Sequence, residues 1–143
     1  HNLEKRFQLY GHTKPVSYVA DVANEANLNN VLGDKTFSHI ICDVPCTGSG
    51  TWARTPEQLY YFEEQQATII PALQATIATN ASKRLQAGGM LYYITCSVFE
   101  AENEAVVKQV QEKTGLQLQE WQLINGIEKK ADSMFIAVLK KPH

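Results

Sequence analysis

HIICDVPCTGSG, residues 39–50, passes from an apolar run to an acid, a proline and a cysteine, and then into glycines. Extended back to Phe37 it reads FSHIICDV, nearly all apolar at its centre and bounded by a turn signature. That is the pattern of a strand covered on both faces, as in a parallel sheet flanked by helices. Its carboxyl end presents Asp43, Pro45 and Cys46. Ligands of open α/β sheets lie beyond the carboxyl ends of the strands, so this turn is the first place to look for chemistry.

Outward from this strand, strand and helix patterns alternate. VSYVADV, Val16 to Val22, is short, β-branched and bounded by Pro15 and Asn24, and is expected to be a strand ending near Asp21. RTPEQLYYFEEQQ opens a helix, with Thr55 as cap, Pro56 in the first turn and Gln58 closing a capping box. A long helix is expected from about Thr68 to Gln86, ending at Gly88-Gly89, with Pro71 marking a break from the helix before it. MLYYITCS, Met90 to Ser97, is the next strand, and EAENEAVVKQVQEKTG is an amphipathic helix closed by Gly115. LQLQEWQL alternates as a half-exposed strand and MFIAVLKK is the last strand. The expectation is a mostly parallel α/β sheet with helices on both faces. Asp21, the Asp43–Cys46 turn and Thr95-Cys96-Ser97 then share one end of it.

The bulk properties narrow the class. At 143 residues the chain is one domain's worth, and 44% apolar and 20% charged residues suit a soluble globular core. No apolar run approaches the about 20 residues of a membrane helix, and no signal-peptide pattern opens the chain, so a cytoplasmic setting is expected. It begins at His1 inside a helical pattern, HNLEKRFQLYG, and is expected to be the carboxyl-terminal piece of a longer protein. The formal net charge of −2 lacks the basic footprint of a domain that grips nucleic acid unaided. Three cysteines, Cys42, Cys46 and Cys96, show no disulfide-framework spacing and favour free thiols in a reducing compartment.

Each candidate has a plain alternative. A cysteine near a strand is commonly a small buried hydrophobe, and Cys42 in mid-strand fits that description. Cys46 and Cys96 lie just past strand ends among polar residues, where a thiol can become a nucleophile. A metal site from His39, Cys42 and Cys46 matches no zinc spacing, and none is expected. Asp43, ending a buried strand, must be hydrogen-bonded, and either caps the following turn or meets the edge of a bound ring with its pKa raised by partial burial. Asp21 either caps the next helix or faces a ligand. The glycines of TGSG match neither a dinucleotide fingerprint nor a P-loop. Beyond them, Arg54 and Trp52 offer a phosphate contact and a base face, or equally a surface ion pair and a core indole.

Taken together, DVPCTGSG and YITCSVFEAENEAVV resemble the Sun (Fmu) family of RNA cytosine-5 methyltransferases. The family has Asp-x-Pro-Cys at one strand end, Thr-Cys-Ser/Thr at the next and then a Glu-Asn pair, here Glu102-Asn103. GTWARTPEQL, LQAGGMLYYITCS and ADSMFIAVLKK are similar to further family segments, so the likeness spans roughly Val16 to Lys141. It implies an incomplete Rossmann-like class I methyltransferase sheet with an antiparallel last strand, whose glycine-rich donor loop lies upstream of this sequence. It also implies S-adenosyl-L-methionine as methyl donor, with Asp21, Asp43 and Pro45 on the donor side, and RNA, most naturally ribosomal, as partner. Cys96 would add to carbon 6 of cytosine, Asp43 would protonate ring nitrogen 3, and Cys46 would assist loss of the carbon-5 proton so that Cys96 can leave. In DNA cytosine-5 methyltransferases a Pro-Cys-Gln cysteine attacks instead, whereas Thr47 follows Cys46 here. The rival expectations are action on tRNA or DNA, and a degenerate domain that only binds RNA or protein. Two further expectations follow from the missing strands: weak donor binding by this piece alone, and self-association through unpaired sheet edges or a rearranged first strand.

Overall fold

The computed structural model describes residues 2–143. Four strands carry the fold: β1 (Phe37–Asp43), β2 (Leu85–Thr95), β3 (Gln117–Ile124) and β4 (Met134–Lys140). Helices α1 (Asn2–Leu9), α2 (Glu25–Leu32), α3 (Glu57–Tyr61), α4 (Gln66–Ser82) and α5 (Glu104–Thr114) fill the intervals. The strand order is β1-β2-β4-β3. β1 and β2 pair in parallel, whereas β4 is antiparallel to both β2 and β3. β1, β2 and β3 therefore point the same way and the reversed last strand sits between two of them. The sheet is mixed rather than mostly parallel, since one pairing of three is parallel.

Alternation along the strands builds the core. Leu91, Tyr93 and Thr95 of β2 and Phe135, Ala137 and Leu139 of β4 are fully buried beneath α4 and α5. Those two helices pack side by side, which places them on one face of the sheet. The expected second helical layer is not seen against the other face, where Met90, Tyr92, Ile94, Ile136 and Val138 are half-buried and Ile41 is 71% exposed. Among the described residues, the outer edge of β1 has no strand partner.

Three expectations about elements are corrected. Val16 to Val22 is not a strand: residues 12–21 are irregular, and Val19 is 99% exposed. β-branched composition cannot make a strand without a neighbour to pair with. Pro71 does not break a helix, because it lies buried inside α4, and the interruption falls in the turn at residues 62–65. The capping box is absent as well: the Thr55 hydroxyl donates to the Thr51 carbonyl, and α3 begins after Pro56 without a side-chain cap.

The long helix also ends sooner than its glycines suggest. Phe37 N donates to the Arg84 carbonyl at 2.8 Å, and β2 begins at Leu85. Phe37 pairs with Leu85 but His39 pairs with Met90, so Gly88-Gly89 forms an excursion in β2. Gly88 is left-handed at φ 73°, and a Cβ on Gly89 would stand 2.9 Å from the Ser38 carbonyl. These glycines serve a sheet irregularity rather than a helix terminus.

Candidate active site

Parallel pairing of β1 with β2 opposes Asp43 to Ile94, so the turns after both strands emerge side by side. Cys46 Sγ and Cys96 Sγ stand 3.1 Å apart. Both thiols are free and half-buried, whereas Cys42 is buried within the core as expected of it. Burial, and then the hydrogen bond with Cys46, pushes the Cys96 thiol up to about 12. Burial alone moves Cys42 up to about 12.

The cysteine turns are fixed from beneath. Gly50 N donates to the Cys96 carbonyl at 2.8 Å, and Ser133 N donates to the Gly50 carbonyl at 2.9 Å. A Cβ at Gly50 would lie 2.2 Å from the Ser133 carbonyl oxygen, so only glycine lets three loops meet there. Ser49 Oγ is 3.0 Å from Ser97 Oγ and accepts from Val98 N at 2.9 Å. Asn103 Nδ2 donates to the Ser97 carbonyl at 2.9 Å, while its Oδ1 accepts from Thr95 Oγ1 at 2.6 Å.

Below these contacts lies Glu102, only 1% exposed, which the sequence showed merely as part of a Glu-Asn pair. It accepts from Thr47 N at 2.9 Å, from Thr47 Oγ1 at 2.5 Å, from Ser97 Oγ at 2.7 Å and from Gln74 Nε2 at 2.9 Å. Tyr93 donates its hydroxyl to the Glu102 carbonyl at 2.6 Å. Burial, and then the Glu102 charge, raises the Tyr93 phenol above its ordinary range. The signal in the sequence was the density of hydroxyl residues flanking both cysteine motifs, since a buried acid needs such donors.

The other candidates are distributed differently. Asp43 ends β1 exposed, so the partial burial expected of it is absent. Pro45 is also exposed, between Asp43 and Cys46. Asp21 lies in the irregular segment, and its carboxylate accepts from Ala23 N at 3.0 Å, just before α2. A hollow of about 260 Å³ along the open side of β1 is walled by Val22, Leu28, Phe37, Ile40, Ile41 and Ile77, with Asp43 at its rim.

Arg54 and Trp52 each have partners within the fold. Arg54 makes a two-pronged contact with Asp132, at 3.2 and 2.8 Å. The hydrogen bond from Arg54 holds the Asp132 carboxyl below its usual range. Trp52 is half-buried and packs against Phe62 at 5.4 Å and Phe99 at 5.7 Å between ring centroids. That cluster braces the segment after Cys96 against the segment before α4.

The sequence model of the 16S rRNA methyltransferase RsmB/F family matches residues 10–140. This chain belongs to that family. Among its relatives, the multisite-specific tRNA:(cytosine-C(5))-methyltransferase trm4b of Schizosaccharomyces pombe is 34% identical over 105 residues, 72% of this chain and 15% of that protein. Ribosomal RNA small subunit methyltransferase F of Aeromonas salmonicida is 35% identical over 81 residues, 57% of this chain and 17% of that protein. The chain spans between 10% and 22% of the curated relatives it matches. The crystal structure of NSun6 from Pyrococcus horikoshii superposes with a TM-score of 0.80 at 23% identity, over 98% of this chain and 38% of that one. The shared fold is therefore Rossmann-like, and membership of the RsmB/F family rests on the match over residues 10–140. Among the described residues no helix is long and apolar enough to cross a membrane.

Proposed function

We propose that this chain forms the cytosine-handling part of a cytoplasmic RNA cytosine-5 methyltransferase acting on ribosomal RNA. The observation that carries the reading is the pair of free thiols 3.1 Å apart at adjacent strand ends. Two sulfurs so close can address adjacent carbons of one pyrimidine ring, one as nucleophile and one as acid–base group. Cys96 must shed its proton to attack carbon 6, because only a thiolate is an effective nucleophile. Asp43, at the end of β1, is assigned the hydrogen bond to ring nitrogen 3, where negative charge develops. Cys46 takes the proton from carbon 5, and the electron pair left behind expels Cys96.

S-adenosyl-L-methionine, when bound, supplies the methyl group as an electrophile. The residues present fit one side of it. The apolar hollow beside β1 suits an adenosyl ring, with Asp43 among its lining residues and Asp21 next in sequence to its Val22 wall. No glycine-rich loop of the donor-binding kind occurs in this sequence, so the hollow is one wall of a site and weak donor binding by this chain alone is expected. The unpaired, partly apolar edge of β1 supports the further expectation that the chain associates with another strand.

Covalent trapping tests the roles. The full-length protein and its Cys46→Ala and Cys96→Ala variants are incubated with small-subunit ribosomal RNA and S-adenosyl-L-methionine, then resolved on a denaturing gel. A persistent protein–RNA adduct is expected for Cys46→Ala and none for Cys96→Ala. The reverse pattern would make Cys46 the nucleophile and overturn the assignment. Adducts with tRNA but not with ribosomal RNA would move the substrate to the class named for the Schizosaccharomyces pombe relative.

A further inference from the structure

We propose that Glu102 is a positioning residue for the release half of this reaction, holding the Cys46 turn in register with Cys96. The inference rests on the roles proposed above for the two cysteines. Thr47, which follows Cys46, gives Glu102 both its backbone N–H at 2.9 Å and its hydroxyl at 2.5 Å. Ser97, which follows Cys96, gives it a hydroxyl at 2.7 Å. One carboxylate thus spans the residues next to both thiols. On the other side of Cys46, the Pro45 carbonyl accepts from Gln74 Nε2 at 2.8 Å, and the same amide nitrogen donates to Glu102 at 2.9 Å. Cys46 is bracketed on both sides by one buried acid–amide pair.

The energetics show that this arrangement is costly to keep. Burying a carboxylate without a cation costs several kcal/mol unless every oxygen is well supplied with donors. None of the three ion pairs among the described residues involves Glu102. Four neutral donors supply it instead, through charge-assisted bonds stronger than ordinary ones. Gln74 Oε1 meanwhile stays buried without a partner. Turning that amide over would satisfy nothing, because it would set oxygen against the oxygens of Glu102 and Pro45. A buried unsatisfied acceptor in a native fold calls for an explanation. Here it is the consequence of committing the amide nitrogen to the Cys46 turn.

The two thiols do not depend on Glu102 equally. Cys96 directly follows β2, which is paired on both sides up to Ile94 and Thr95, and its carbonyl is tied to Gly50 N at 2.8 Å. Residues 44–48, which contain Cys46, belong to no regular element. Loss of the carboxylate therefore displaces Cys46 more than Cys96, and it impairs release more than attack. A side chain needed only for folding would depress both together.

The test uses the full-length protein with the RNA and methyl donor that trap Cys46→Ala. Turnover, adduct on a denaturing gel and melting temperature are read for Glu102→Ala, Glu102→Gln and Gln74→Leu. For Glu102→Ala, turnover falls about ten- to a hundredfold, the usual consequence of removing one partner from a buried hydrogen-bonded group, while the adduct persists as in Cys46→Ala. Glu102→Gln retains most turnover, since its oxygen can accept from Thr47 N and Gln74 while its nitrogen donates to the two hydroxyls. A folded Glu102→Ala protein whose adduct falls in step with turnover overturns the proposal. Should Glu102→Ala not fold, Gln74→Leu decides: persistent adduct supports the proposal and none overturns it. An adduct with Cys46→Ala but with no Glu102 or Gln74 variant leaves the cysteine roles standing and removes only this inference. No adduct with Cys46→Ala removes both.

Discussion

Gly50→Ala is the smallest substitution that should disorganise the site. Gly50 needs no unusual backbone conformation, so the effect is steric. An added Cβ would lie 2.2 Å from the Ser133 carbonyl oxygen, 2.8 Å from the Cys96 carbonyl oxygen and 3.0 Å from the Ser133 carbonyl carbon. All three neighbours are backbone, so no side chain can swing aside, and ordinary contact begins near 3.4 Å. Ser133 must retreat by roughly 1 Å, which breaks its 2.9 Å hydrogen bond to the Gly50 carbonyl. Losing that bond costs about 0.5–1.5 kcal/mol. Overpacking a close contact adds about 1–3 kcal/mol. The expected destabilisation is thus about 1.5–4.5 kcal/mol, read as a shift in urea midpoint at unchanged slope. Gly115→Ala is the control: φ is 73° there, but nothing lies within 4 Å. Its cost should be the left-handed backbone alone, about 1–2 kcal/mol. If Gly50→Ala proved no less stable than Gly115→Ala, the close meeting of three loops at Gly50 would be wrong.

Two further expectations concern the thiol and the phenol. With the Cys96 thiol up to about 12, its alkylation by iodoacetamide, followed residue by residue by mass spectrometry, should rise steadily with pH from 8 to beyond 10. A plateau reached below pH 9 would refute the raised thiol. Tyr93→Phe removes the 2.6 Å bond to the Glu102 carbonyl and leaves that carbonyl buried. The expected loss is about 1–3 kcal/mol of stability, and a change under about 0.5 kcal/mol in chemical denaturation would count against the bond.

The parts of the fold visible in the sequence are those whose cause is local. The apolar run of Phe37–Asp43 and the alternation of Gln117–Ile124 announce β1 and β3, and Gly115 closes α5 as expected, in the left-handed conformation. The placing of Cys46 and Cys96 at neighbouring strand ends followed from the same patterns plus the parallel crossover. What was not legible depends on partners far along the chain. Val16–Val22 has strand composition but pairs with no strand of the sheet. Gly88-Gly89 resembles a helix stop until the pairing of Phe37 with Leu85 shows the chain already in the sheet. Trp52 and Arg54 were undecided between ligand and fold, because their partners Phe62, Phe99 and Asp132 lie elsewhere along the chain. The role of Glu102 depends on Thr47 and Gln74, separated from it by 55 and 28 positions.

The reversed strand β4 occupies an interior place in the sheet although it is synthesised after the other three. As the chain leaves the ribosome, β2 and β3 must wait with facing edges open, because neither can pair directly with the other across the gap that Met134–Lys140 will fill. Such unsatisfied edges are where a nascent chain is most exposed to wrong partners. Ser133, immediately before β4, also carries the amide that fastens the Gly50 turn. Insertion of the final strand therefore both completes the sheet and brings Ser133 against the Gly50 turn.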